Sequence, residues 1–225
     1  MESRRRLSRC EQLRVGMTML TLGTGAVSGI KVEYQTIDTL AARDLNAPCE
    51  CSMTLIPSSP LPKLRKHVET KSPFSGRISL PVDVSMNFLK KHQDERGYFM
   101  EVLRLSCIEP KGFQPAQLSI SETRSGVIKA FHYHEKQSDL FCPLTGSFRI
   151  VLFDMRSKSS TCGNGYSIYS DVRSPFLLHI PPGVAHGYQV LGDAAGVMLY
   201  VMNRIYDPAD EGRFEWNDPT VAFPW

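Results

Sequence analysis

From residue 76 to the C-terminus, hydrophobic positions come in short runs, several alternating with polar ones, and each run stops at Gly, Pro, Asn or Asp. RISLPVDVSMNFLKKHQDERGYFMEVLRL holds short alternating segments around a turn at DERG, residues 94–97. FQPAQLSISETRSGVIKAFHYH, SDLFCPLTGSFRIVLFDMR, FLLHIPPGVAHGYQVL and AGVMLYVMNRIY repeat the pattern, with both faces of 147–153 apolar. Alternation with a period of two marks a half-buried strand, and no stretch keeps the longer period of a helix. The pattern predicts an all-β sandwich or barrel over residues 73–225. Upstream the text differs. Residues 15–30 are moderately apolar but broken by Gly and Thr, and 46–76 carry Pro48, Pro57, Pro60, Pro62 and Pro73 among several serines. Residues 1–72 therefore read as a poorly ordered or irregular extension and linker.

Two stretches in the β-rich part carry chemistry. In GVIKAFHYHEKQSDLFCPLTG (126–146), His132 and His134 are one residue apart, so on a strand they point to the same face. Gln137 and Asp139 follow. In HIPPGVAHGYQVL (179–191), Pro181, Pro182 and Gly183 force a tight turn, and His186 lies three residues beyond it. The two stretches resemble the two cupin motifs. Gly126, His132, His134, Asp139 and Gly146 match the first, with Asp for the usual Glu; Pro181, Gly183 and His186 match the second. Pro175 and Val190 stand where its leading Gly and trailing Asn belong. The resemblance implies a double-stranded jelly roll whose site lies in the barrel mouth.

Composition narrows the classes. The chain has 225 residues, 42% hydrophobic, enough for one β domain with a core plus an extension. A net charge of +3 is too small to argue for nucleic acid. No run approaches the roughly 18 apolar residues that span a bilayer, so no membrane partner is expected. Six cysteines make no disulfide framework at this length, which favours reduced thiols and a cytoplasmic protein. Cys49-x-Cys51 is a metal or redox pair without a second half, and GTGAVSG has no room for the βαβ unit a nucleotide loop needs. The basic start followed by a mild apolar run is a weak targeting signal, opposed by Glu2 and Glu11. Arg65-Lys66-His67 reads as a solvated linker face, His67 and His92 have no constellation around them, His179 reads as a strand or rim residue, and Trp216 and Trp225 as caps on the barrel.

Residues 76–225 resemble the dTDP-4-dehydrorhamnose 3,5-epimerase family. DERGYFMEV (94–102), Ser119-x-Ser121 before GVIKAFHYH, IPPGVAHGYQVL (180–191) and the closing LYVMNRIYDPADEGRFEWNDPTVAFPW, with its pattern Y-x-P-x-x-E, occur in the family's order. The resemblance implies a homodimeric isomerase that acts, without a cofactor, on a nucleotide-linked 4-keto-6-deoxy sugar in dTDP-rhamnose and carbohydrate biosynthesis. His132 falls on the base that removes the proton beside the C4 ketone, and Tyr206 on the tyrosine that reprotonates the opposite face. Arg96 matches a diphosphate-binding arginine, Glu101 a residue near the nucleoside, and His186 and Tyr200 pocket positions.

Three departures matter. Lys129 replaces an arginine and loses its bidentate fork for phosphate. Asp139 stands where the family has a lysine that stabilises the enolate, and a carboxylate there opposes developing negative charge. The family's carboxylate partner to the catalytic histidine lies in a C-terminal tail beyond the position of Trp225. Two further readings follow. His132, His134, Asp139 and His186 offer three nitrogens and one oxygen for Zn, Fe, Mn or Ni, as in a metal-dependent cupin of another reaction class. The missing carboxylate and lysine suit a non-catalytic, sugar-binding cupin.

Overall fold

The structure is a computed structural model that describes residues 60–70, 78–170 and 173–225. The glycine loop, the weak targeting signal and Cys49-x-Cys51 lie outside these residues.

The described residues form two packed sheets. One has six strands in the order β1 (Lys66–Thr70), β9 (Asn164–Ser170), β8 (Ser147–Asp154), β11 (Val184–Leu191), β6 (Ile128–His134) and β13 (Glu211–Arg213). The other has five, in the order β2 (Ser85–Phe88), β10 (Phe176–Ile180), β7 (Asp139–Thr145), β12 (Gly196–Met202) and β5 (Gln117–Thr123). A separate hairpin, β3 (Lys91–Asp94) and β4 (Gly97–Met100), turns at DERG as the sequence predicts. This is the double-stranded jelly roll. No helix among the described residues is long and apolar enough to cross a membrane.

Alternation decides what lies between the sheets. Phe148, Ile150 and Leu152 of β8 face inward onto Phe176, Leu178 and Ile180 of β10 and Met198 of β12. Each such side chain removed from water contributes about 1.5–3 kcal/mol. The apolar outer face of 147–153 has its own cover. Val151 and Phe153 pack with Phe131 and Tyr133 beneath Val221, Phe223, Leu61 and Leu64. Trp225 joins this layer, 5.5 Å from Phe131 between ring centroids, and its indole N–H donates to the Trp216 carbonyl at 2.7 Å. Residues 102–113 cover the second sheet in the same way, over Leu140, Cys142, Leu177 and Leu199.

The boundary expected at 72/73 needs correction. Arg65 donates its backbone N–H to the Gly163 carbonyl at 2.7 Å, and β1 then pairs parallel to β9 from Lys66 to Thr70. His67 is not on a solvated linker: its Nε2 lies 2.9 Å from Ser167 Oγ and its ring meets Phe223 edge-on. The basic residues around it hid a five-residue edge strand. His179 lies on β10, buried, with Nδ1 3.3 Å from the Asp83 carbonyl.

Two turns seat the motif strands. Gly146 joins β7 to β8 at φ +81°, and a Cβ there would come within 2.7 Å of the Gly196 backbone. Gly183, at φ +76°, donates its N–H to the His134 carbonyl at 2.8 Å, tying the second motif's turn to the first motif's strand.

Candidate active site

A cavity of about 300 Å³ opens between the sheets. Its walls are the inward residues of β5, β6, β7, β11 and β12, closed on one side by Glu211 of β13 and on another by Tyr206. His132 and His134 both face into it while Phe131 and Tyr133 face the opposite layer, as alternation on β6 requires. His186 comes from β11, where it sits opposite His132 in the strand pairing.

His132 has the carboxylate partner that the sequence reading placed beyond the chain's end. Its Nδ1 lies 2.7 Å from Glu211 Oε1. In the β6–β13 pairing, Glu211 is opposite His134 and Arg213 opposite His132, so Glu211 reaches its partner diagonally across two strands. Arg213 donates to the same carboxylate oxygen from Nε at 2.8 Å. Burial pushes the Glu211 carboxyl up, but the hydrogen bond and charge of His132, joined by Arg213, outweigh it and hold it at about 2. An ionised acceptor on Nδ1 fixes the tautomer with Nδ1–H and leaves Nε2 as the lone-pair nitrogen. The support for a non-catalytic cupin that rested on a missing carboxylate is thereby removed.

Deeper in the cavity, His134, Asp139 and His186 form a second, buried group. Asp139 Oδ2 lies 3.5 Å from His134 Nε2 and 3.4 Å from His186 Nε2. The three donor atoms all fall within 4.8 Å of one another. His132 is not part of this group, because Glu211 holds its ring toward β13; the four-ligand set read from the sequence becomes three. His186 Nδ1 is 3.1 Å from the Val184 carbonyl, which accepts the ring N–H, so Nε2 carries the lone pair. The Gln137 amide donates to Asp139 Oδ1 at 2.7 Å and lies 3.3 Å from His134 Nε2. Burial lowers His186 to about 4 and lowers His134, with the neighbouring His186 adding to the latter. Burial raises Asp139.

Polar groups paired across the two sheets complete the wall. Lys129 Nζ donates to Ser121 Oγ at 2.8 Å, and the hydroxyls of Tyr188 and Tyr200 are 2.9 Å apart. Burial, then the Tyr188 hydrogen bond, raises Tyr200, so it stays a neutral phenol. Tyr206 stands at the rim, half exposed, with its backbone N–H on Gln117 Oε1 at 2.8 Å. Arg96 and Glu101 do not line this cavity. Arg96, exposed at the hairpin turn, pairs with Asp94 at 2.6 Å, and Glu101 pairs with Arg104 at 2.9 Å.

Two residues escaped the sequence reading. Glu211 was visible as the Glu of the closing Y-x-P-x-x-E pattern, but its distance of 79 positions from His132 hid the pairing. Asp210, buried, accepts the backbone N–H groups of Glu135, Lys136 and Gln137 at 3.1, 3.0 and 2.9 Å and so pins the turn between β6 and β7. No local signal announces it.

Comparison with known proteins agrees with this fold. The family model for dTDP-4-dehydrorhamnose 3,5-epimerase matches residues 82–225. The spore coat polysaccharide biosynthesis protein SpsL of Bacillus subtilis is 44% identical over 146 residues, covering 63% of this chain and 94% of SpsL. A dTDP-4-dehydrorhamnose 3,5-epimerase of Shigella flexneri is 30% identical over 138 residues, covering 59% of this chain and 76% of that protein. The crystal structure of the Legionella pneumophila dTDP-6-deoxy-D-glucose-3,5-epimerase, in complex with dTDP-4-keto-L-rhamnose, superposes with a TM-score of 0.57 at 27% identity. That match covers 63% of this chain and 84% of the Legionella chain. The chain belongs to the dTDP-4-dehydrorhamnose 3,5-epimerase family.

Proposed function

We propose that the protein is an isomerase that inverts carbon centres beside the C4 ketone of a nucleotide-linked 4-keto-6-deoxy sugar, with His132 as base and Tyr206 as acid. The observation that carries this reading is the 2.7 Å pairing of His132 with Glu211 inside the cavity. With Nδ1–H directed at Glu211, the bare Nε2 removes the proton at C3 or C5, and the electron pair moves onto the C4 oxygen as an enolate. The Tyr206 phenol gives a proton to the opposite face of the same carbon, and solvent restores both groups. A base on one face and an acid on the other produce inversion. The proton transfers themselves call for no cofactor. Lys129 and Tyr200 bind and orient the sugar.

A cavity of about 300 Å³ suits the sugar but leaves the nucleoside diphosphate outside. Arg96 and Glu101 occupy positions that match nucleotide-binding residues yet stand away from their own chain's cavity. We place them at the cavity of a second copy, which makes the enzyme a homodimer. Leu118 and Ile120, both 62% exposed on the outer face of edge strand β5, give such a dimer an apolar contact. The free Cys107, Cys142 and Cys162 suit a reducing cytoplasm.

The test is proton exchange in D₂O with dTDP-4-keto-6-deoxyglucose, followed by NMR. Deuterium is expected at C3 or C5 with the wild-type protein and none with His132→Asn. Absence of exchange with wild type overturns the reading for this substrate.

A further inference from the structure

The geometry points to a divalent transition-metal site formed by His134, Asp139 and His186, separate from the catalytic base. Three buried groups that can each offer a lone pair converge there, their donor atoms within 4.8 Å of one another. The Val184 carbonyl takes the N–H of His186 at Nδ1, which leaves Nε2 bare toward Asp139 Oδ2 at 3.4 Å. His134 Nε2 lies 3.5 Å from the same oxygen and 3.3 Å from the Gln137 amide nitrogen, and His134 Nδ1 is buried without a hydrogen-bond partner. A proton on Asp139 can bridge one of these two pairs, whereas a divalent cation among the three serves all of them at once.

The spacing fits such an ion. Donors about 2.0–2.1 Å from a tetrahedral centre lie about 3.4 Å apart, which is the separation of Asp139 from each histidine. The two imidazoles need close only modestly from their present positions within 4.8 Å. Two imidazoles, one carboxylate and no thiolate select Zn²⁺, Co²⁺, Fe²⁺, Mn²⁺ or Ni²⁺ over Mg²⁺ or Ca²⁺. All three ligands are buried, and three protein ligands leave a position open to the cavity where the sugar's C4 oxygen would lie.

The consequence for catalysis rests on the isomerase reading above. Asp139 alone sets a negative charge beside the forming enolate; with a divalent ion the local charge becomes positive, and the ion acts as Lewis acid on the C4 oxygen. His132 stays free to take the proton, since Glu211 and not the ion holds its ring.

The experiment uses the full chain purified without chelator. Metal analysis is expected to find close to one transition-metal ion per chain. After chelation, Zn²⁺ is expected to rebind with one-to-one stoichiometry, and Co²⁺ to give the visible bands of a tetrahedral site. Asp139→Asn, nearly isosteric, and His186→Gln are each expected to weaken Zn²⁺ binding at least about a hundredfold, whereas His132→Asn binds as wild type does. Chelation is expected to slow deuterium exchange at least about tenfold and Zn²⁺ to restore it. Absence of metal as purified, together with a silent titration of wild-type protein by Zn²⁺ and Co²⁺, overturns the site. Exchange at the same rate in the chelated protein overturns the ion's Lewis-acid role and leaves the isomerase reading standing. Stoichiometric metal with no exchange under any condition does the reverse: the site stands and the isomerase reading falls.

Discussion

Replacing Glu211 separates two things its carboxylate does for His132: it holds the ring in one tautomer and it supplies charge. All three donors at this residue converge on one oxygen. His132 Nδ1 reaches Oε1 at 2.7 Å, and Arg213 reaches it from Nε and Nη2 at 2.8 Å each. In Glu211→Gln the Arg213 fork keeps the carbonyl oxygen in that place, so Nδ1–H still has its acceptor and Nε2 remains bare. Only the charge is lost. The carboxyl is held at about 2 instead of 4.5, a net interaction of about 3 kcal/mol shared between His132 and Arg213. His132 takes the larger share, and a third of its side chain meets solvent, which screens the pair to about 1–1.5 kcal/mol. That is roughly a tenfold loss of kcat. Glu211→Ala removes the acceptor as well, and the freed ring turns and changes tautomer. A loss of about 10²–10³-fold is expected, below the roughly 10⁴-fold seen where a buried triad loses its acid. The assay is the initial rate of deuterium incorporation at C3 and C5, with substrate saturation measured to separate kcat from KM. A Glu211→Ala enzyme that exchanges at the wild-type rate refutes the role, and a Gln variant as slow as the Ala variant refutes the division into charge and tautomer.

Tyr206→Phe is expected to keep deuterium wash-in, since His132 still removes and returns the proton on its own face, while inverted product falls by about two orders of magnitude or more by NMR. In Gly212→Ala the new methyl group would strike the Tyr133 ring, so β13 must lift from β6; exchange activity should fall with a circular-dichroism melt lowered by a few degrees at most. Asp210→Asn replaces one of two acceptor oxygens with a donor facing the N–H groups of 135–137, and a loss of about 1–3 kcal/mol is expected in urea unfolding. Because Glu211 titrates lower folded than unfolded, its contribution to stability is present above about pH 4.5 and is lost as pH falls toward 2. The stability gap between wild type and Glu211→Gln should therefore be open at pH 7 and narrow steadily below pH 4.5 in melts across that range.

Much of the fold was legible because period-two patterning and glycine turns are local properties. The β7–β8 turn at Gly146, the hairpin at DERG and the shared face of His132 and His134 all come from residues within a few positions of one another. The edge strand Lys66–Thr70 was not legible, since its run KHVET looks polar and is held by a pairing with residues nearly a hundred positions away. The site divided along the same line. Motif spacing identified His132, His134, Asp139 and His186 as neighbours of one cavity. It could not say that His132 would turn to β13 while the other three turned to one another, because that choice depends on Glu211, which strand topology alone brings near.

That choice is made by two consecutive residues. Asp210 ends the turn that its N–H closes onto the Asp207 carbonyl and collects the three N–H groups of 135–137, while Glu211, the first residue of β13, meets His132. The first contact fixes the turn between β6 and β7, and with it the approach of Gln137 to His134 and Asp139. The second fixes the His132 ring. Two histidines that leave the same face of β6 thus acquire different partners, one an ionised carboxylate near the mouth and the other a buried cluster behind it. A substitution at Asp210 should disturb the cluster before the base, and one at Glu211 the base before the cluster. Metal binding and proton exchange, measured on both variants, report the two effects separately.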